Sequence, residues 1–420
     1  MSPAEAHPAP EVSGPATGDG CASSEGAPAH LNSADCPVAG DERATAGKAL
    51  QAARAPWDPF TLAVRGVPGL DGLRGLACLM IFNVHFFAQY AAASYFVSPG
   101  GFLHQALHAL HSGSHGVDVF FVVSGYLIYG SIVRKRPTLF NFILERYKRL
   151  LPVVLVINIP ALYWVNATWK EVVDNVFFLQ LFDSRLVTFV SWALAYEMYF
   201  YLLCGVWLIV LKRGRNGPPW TSYVLLAALY VANSLWFHVN PTLSDWRFAG
   251  FFVGMGLAML RADARGRKVF QAVPPGIWPV CLGILGLGCW LWSRDFVGTL
   301  SATSPALALG YFVAYDLVVA VLVASFVNAA DARTSPAGKA VSSARNSGPF
   351  SWTPLRMVGA VSYSLFLVHT QWGLPLANTL FGKPASLAGL ALHYGLSLGL
   401  SLALAAFLFL HLERFYFTRR

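Results

Sequence analysis

From residue 71 onward apolar residues come in long runs, and polar residues collect in the short gaps between them. The runs predict helices at about 72–93, 116–133, 150–166, 191–211, 220–238, 247–260, 276–292, 305–327, 357–376 and 386–410. Most approach the ~20 residues that carry an α-helix across a hydrocarbon core, while the run at 247–260 is short for one. Upstream the pattern changes. Residues 1–56 are rich in Ala, Gly, Pro and Ser and contain no Ile, Phe, Trp or Tyr. Such a stretch buries too little apolar surface to offset its ordering entropy, so a disordered tail is expected over residues 1–60. It lacks the basic start and apolar core of a secretory signal peptide.

Composition fits this pattern. Of 420 residues, 55% are hydrophobic and 12% charged, with a mean hydropathy of +0.51. Soluble domains carry about 25% charged residues, so a secreted enzyme or single-core cytosolic domain is excluded. The fold class expected is an all-α integral membrane protein with about ten transmembrane helices.

The net charge of +9 is then a question of location. Ten spans put both termini on one side. Of the 30 Lys and Arg, only Lys170, Arg185, Arg247, Arg294 and Lys383 fall on the opposite side, leaving 25 on the side of the termini. The positive-inside rule makes that side cytoplasmic. Membrane lipids are the partners this charge implies, and nucleic acid is not. The six cysteines (Cys21, Cys36, Cys78, Cys204, Cys281 and Cys289) show no Cys-x-x-Cys spacing, and no bound metal is expected.

Ionisable residues within spans are costly and therefore informative. They are Arg74, His85, Asp118, Glu197, Asp316 and His369. Eleven residues separate Arg74 from His85, about three helical turns, so the two share a face roughly 16 Å apart. A lipid-anchoring arginine beside an unrelated core histidine is the alternative. Arg146 and Arg149, three apart before the third run, can form a fork for phosphate or simply anchor a loop end. His369 lies at a depth similar to His85, in a Ser-Tyr-Ser-Leu stretch that reads as helix packing. Asp316 reads as a structural hydrogen-bonding group. His104, His108, His111 and His115 are spaced to share one helix face, where interfacial solvation is favoured over metal.

In order along the chain stand Arg74 and His85; Gly-Val-Asp-Val-Phe-Phe-Val-Val-Ser-Gly-Tyr-Leu-Ile, holding Asp118 and Ser124; Arg146-x-x-Arg149; Ser191-Trp192 with Glu197; and Ser-Tyr-Ser-Leu-Phe-Leu-Val-His369. This set resembles acyltransferase family 3, the integral-membrane O-acyltransferases. The likeness is colinear from about residue 66 to 415, which marks 61–420 as a membrane acyltransferase domain behind the 1–60 tail. Val368 and Phe415 depart from the family pattern.

The resemblance implies a multi-pass protein of the cell membrane, the inner membrane in a bacterium. It implies transfer of an acyl group, commonly acetyl, from cytoplasmic acyl-CoA to a hydroxyl of a carbohydrate or lipid-linked glycan. Acyl-CoA is a co-substrate, with no bound cofactor. Arg74, Arg146 and Arg149 would hold acyl-CoA, and His85 would act as general base. Arg74 and Glu197 complete the catalytic set, where Glu197 either orients an imidazole or braces the bundle. Asp118, Ser124 and His369 would support it. A multi-span transporter or acyl-group translocator is the competing class, and a small secondary metabolite the competing acceptor. Transporters usually carry internal repeats, and the 71–128 pattern does not recur.

Overall fold

A computed structural model describes residues 67–90, 101–164, 166–179, 190–210, 219–239, 246–294, 299, 303–334 and 348–414. The expected tail over residues 1–60 lies outside the described residues. Within them the chain is helical, without strands. The helices are α1 (Pro68–Tyr90), α2 (Phe102–His111), α3 (Gly116–Lys135), α4 (Leu139–Trp164), α5 (Trp169–Val176), α6 (Ser191–Gly205), α7 (Pro219–Val239) and α8 (Ala249–Ala262). They continue with α9 (Gly266–Gln271), α10 (Trp278–Ser293), α11 (Pro305–Thr334), α12 (Thr353–Ala360), α13 (Ser362–Val368), α14 (Leu374–Phe381) and α15 (Leu387–Leu408).

Among the described residues, five stretches are long and apolar enough to cross a membrane: Pro68–Gln89, His104–Lys135, Ser191–Val210, Ala306–Ala332 and Leu387–Glu413. Thr221–Ala232, Ala249–Ala262 and Trp278–Trp292 are shorter apolar helices. Leu307 and Leu317 of α11 and Leu392 and Phe407 of α15 are exposed, as side chains that meet lipid would be.

Each expected run has a helical counterpart, but two differ in form. The third begins at Leu139, eleven residues early, because Thr138 accepts from the Asn141 amide and caps the helix after Pro137. Arg146 and Arg149 therefore sit inside α4. The ninth is broken. α12 ends at Ala360, α13 follows after Val361, and a π-helical turn, His369–Gly373, leads into α14.

Close backbone approach at glycines holds the centre together. A Cβ on Gly125 of α3 would lie 2.1 Å from the Phe251 carbonyl oxygen, and one on Gly254 of α8 only 2.0 Å from that of Val122. This crossing explains how a helix as short as α8 is retained: it is buried along α3. Phe121, Phe251 and Phe200 then stack in series at 4.2 and 4.4 Å, tying α3 and α8 to α6.

Candidate active site

Four helices converge on a cavity of about 290 Å³. α1 brings Arg74; α3 brings Phe120, Ser124 and Arg134; α4 brings Arg146 and Arg149; α6 brings Glu197 and Tyr201. Ser362, Tyr363 and Phe366 of α13 close the wall. Because α4 begins at Leu139, both of its arginines reach the cavity from helix and not from loop.

The arginines are held by neighbouring side chains. Arg74 donates from Nη2 to Ser362 Oγ at 3.1 Å. Arg146 is buried, its guanidinium 5.1 Å from the centre of the Phe142 ring and 5.4 Å from that of Tyr201. Its Nε has no hydrogen-bond partner among the described residues. Glu197 accepts from the Tyr201 hydroxyl one turn along α6. Four arginines face one carboxylate across the cavity lining, so the walls are strongly cationic.

His85 and His369 do not line the cavity. They meet each other beyond it, with His369 Nε2 3.0 Å from His85 Nδ1. His85 Nδ1 is also 2.9 Å from the Ile81 carbonyl, and His369 Nδ1 is 2.9 Å from that of Leu365. A carbonyl only accepts, so each Nδ1 carries the proton. His369 Nε2 is then the acceptor facing His85, and Nε2 of His85 is its unprotonated nitrogen. That is the tautomer a general base requires. His369 thus contacts the His85 imidazole from a position that the sequence reads as helix packing. It opens a π-helical turn, a distortion often found at functional sites.

Asp118 is placed elsewhere. Its Oδ2 accepts from His115 Nδ1 at 2.6 Å and lies 3.6 Å from Arg247 Nη1. His115 Nε2 is 2.8 Å from the Tyr311 hydroxyl, and Arg247 donates to the Ser114 carbonyl at 2.7 Å and to its Oγ at 3.2 Å. The histidine row is therefore divided. His104 and His108 stay together on α2, rings 4.6 Å apart, whereas His115 is buried rather than interfacial. Gly113 causes the turn: its backbone passes so near α1 that a Cβ would lie 2.3 Å from the Met80 carbonyl oxygen. Asp316 is also buried, and neither carboxyl oxygen has a hydrogen-bond partner among the described residues, contrary to the bonded role expected for it.

Ser124 lines the cavity. Sequence reasoning missed Tyr201, Ser362 and Tyr363, although each stands inside a quoted motif at helical spacing from a charged or catalytic position. It also missed Glu413, buried at a π-helical turn after α15, where it accepts from Ser364 Oγ. No local pattern marked that carboxylate.

Comparison with known proteins agrees with this geometry. A family described as an acyltransferase domain matches residues 67–410. Peptidoglycan O-acetyltransferase OatA of Listeria monocytogenes is 23% identical over 339 residues, 72% of this chain and 49% of the relative. O-acetyltransferase OatA of Staphylococcus aureus is 31% identical over 166 residues, 33% of this chain and 24% of the relative. The match thus spans at most about half the length of these relatives. No solved structure matches. With the family profile covering most of the sequence, and the motif arginines and Glu197 brought to one cavity beside paired histidines, the chain belongs to this acyltransferase family.

Proposed function

We propose that the protein is a membrane-embedded O-acyltransferase that moves an acyl group, acetyl first among them, from cytoplasmic acyl-CoA to a hydroxyl of an envelope polysaccharide. Peptidoglycan, named for the Listeria relative, is the leading acceptor. One observation carries the reading: a cavity lined by Arg74, Arg134, Arg146 and Arg149 lies near a pair of histidines in mutual contact. The phosphates of acyl-CoA match the arginine forks, and the extended pantetheine arm carries the thioester inward. His85 Nε2 takes the acceptor's hydroxyl proton, the oxygen bonds to the thioester carbonyl carbon, and the C–S bond breaks. CoA leaves as thiolate and is protonated to the thiol. His369 keeps Nε2 of His85 as the basic nitrogen, and Glu197 with Tyr201 fixes the arginine wall.

The topology in this reading has ten spans with both termini in the cytoplasm, in a bacterial inner membrane. The placement of 25 of the 30 Lys and Arg on one side supports it. On that side Arg134 and Arg149 meet the cytosolic pool of acyl-CoA.

Purified protein in proteoliposomes, given acetyl-CoA labelled in the acetyl group and soluble peptidoglycan fragments, tests the proposal. Acceptor-dependent release of CoA thiol with label in an alkali-labile ester is expected. Absence of transfer to any glycan hydroxyl at saturating acetyl-CoA overturns it.

A further inference from the structure

Between the arginine cavity and the histidine pair stand two aromatic rings. Phe120 and Phe366 both line the cavity, and their rings meet edge to face, with centroids 6.4 Å apart at 67°. On the far side, the Phe366 ring lies 6.3 Å from that of His369, and the His369 ring 5.0 Å from that of His85. Phe366 precedes His369 by three residues, roughly 4.5 Å along the helix axis at 1.5 Å per residue. Phe366 therefore stands between the cavity and His369, and His85 lies behind His369. Phe82 packs against His369 from another side, with centroids 6.1 Å apart.

The wall behind the pair is stiff. Phe121, the neighbour of Phe120, is stacked on Phe251, and Phe251 on Phe200. Phe366 is 8% exposed. On the acyl-CoA reading, a thioester whose CoA moiety rests among the arginines approaches His369 and His85 beside these rings, against which each further methylene on the acyl group must be fitted.

We propose that Phe120 and Phe366 form an aromatic gate that sets the length of acyl chain transferred, admitting acetyl and rejecting longer chains. This rests on the acyl-CoA reading above. A methylene too many in a confining apolar pocket costs about 10- to 200-fold in discrimination, so the gate separates short donors sharply.

The test is kcat/KM for acetyl-, butyryl-, hexanoyl- and octanoyl-CoA with one acceptor, for the wild type, Phe366→Ala and Phe120→Leu. In the wild type the acetyl-to-hexanoyl ratio should exceed roughly a hundredfold. In Phe366→Ala it should fall to within about tenfold, with hexanoyl transfer rising in absolute terms. A merely structural role would lower all donors together and leave the ratio unmoved. Phe120→Leu, at a half-buried position, keeps the test decisive if Phe366→Ala does not elute as a folded protein. A wild type indifferent to chain length overturns the gate, as does an unchanged ratio in every variant that folds. Failure of the wild type to use any acyl-CoA overturns the donor reading instead, and the gate falls with it.

Discussion

The knot around His115 and the cavity around Arg146 both set charged side chains among apolar helices, but they balance charge differently. In the knot, Asp118 and Asp316 stand near His115 and Arg247; Asp118 Oδ2 pairs with His115, whereas Asp118 Oδ1 and both Asp316 oxygens have no hydrogen-bond partner among the described residues. Aromatic rings surround it: His115 stacks on Tyr315 at 4.2 Å, and Arg247 lies 5.0 Å from the Trp292 ring centre. In the cavity, four arginines face one glutamate, and Arg146 Nε is buried without a partner. A balanced, enclosed cluster braces helices. A cationic lining beside open volume suits the anionic donor proposed above. Intramembrane charge marks importance in both places, and only the local balance separates support from chemistry.

Substitutions can break this comparison, and the largest effect is expected at the histidines. His85→Ala should lower acyl transfer by about 10²- to 10⁴-fold, the usual contribution of a general base, without shifting the unfolding temperature in detergent. His369→Ala should retain measurable turnover, because it removes the orienting partner and not the base. Substantial turnover by His85→Ala removes the base assignment, and a reversed ranking moves it to His369.

The knot should fail in the opposite manner. Asp118→Ala leaves His115 and Arg247 buried without their carboxylate, a loss of about 3–5 kcal/mol. Thermal unfolding in detergent should register it, while the protein that remains folded keeps its KM for acyl-CoA. A KM effect without destabilisation would move Asp118 back into the site.

A smaller change, confined to binding, is expected at the cavity arginines. Arg146→Ala should raise KM for acyl-CoA by roughly 10- to 150-fold, corresponding to about 1.5–3 kcal/mol for hydrogen bonds to a charged group. Arg74→Lys should recover only part of the activity lost in Arg74→Ala, since an ammonium replaces the charge and not the fork. Full activity in Arg74→Lys would make it an anchor.

The last prediction alters no activity. Single cysteines at Gly217 and Thr334, in a chain freed of native cysteines, should resist a membrane-impermeant thiol reagent on intact cells. Labelling of either would overturn the ten-span topology and the cytoplasmic cavity mouth with it.

Much of the bundle was legible because lipid imposes a single local rule: long apolar runs must be helical to satisfy their own backbone. The charged candidates were legible for the same reason, each standing out against an apolar background. Function was harder to divide among them. Asp118 and Glu197 look alike in sequence, a carboxylate in an apolar run, yet one pairs with His115 and the other faces arginines across a cavity. Nothing local distinguishes them, because their partners come from helices far away in the chain.

Helical spacing by itself put Arg74 and His85 on one face of α1, and residue chemistry alone marked which side chains were too costly to be incidental. Only the tertiary structure decided the rest. It started α4 at Thr138 so that Arg146 and Arg149 point into the bundle. It turned the chain at Gly113 so that His115 left the histidine row. It brought His369 across 284 residues to His85, converting an apparent packing residue into the imidazole's partner. The physical reason is the range of the forces. Periodicity and burial cost act within a single helix, whereas a tautomer, a charge balance or a ring pair exists only once separate helices meet.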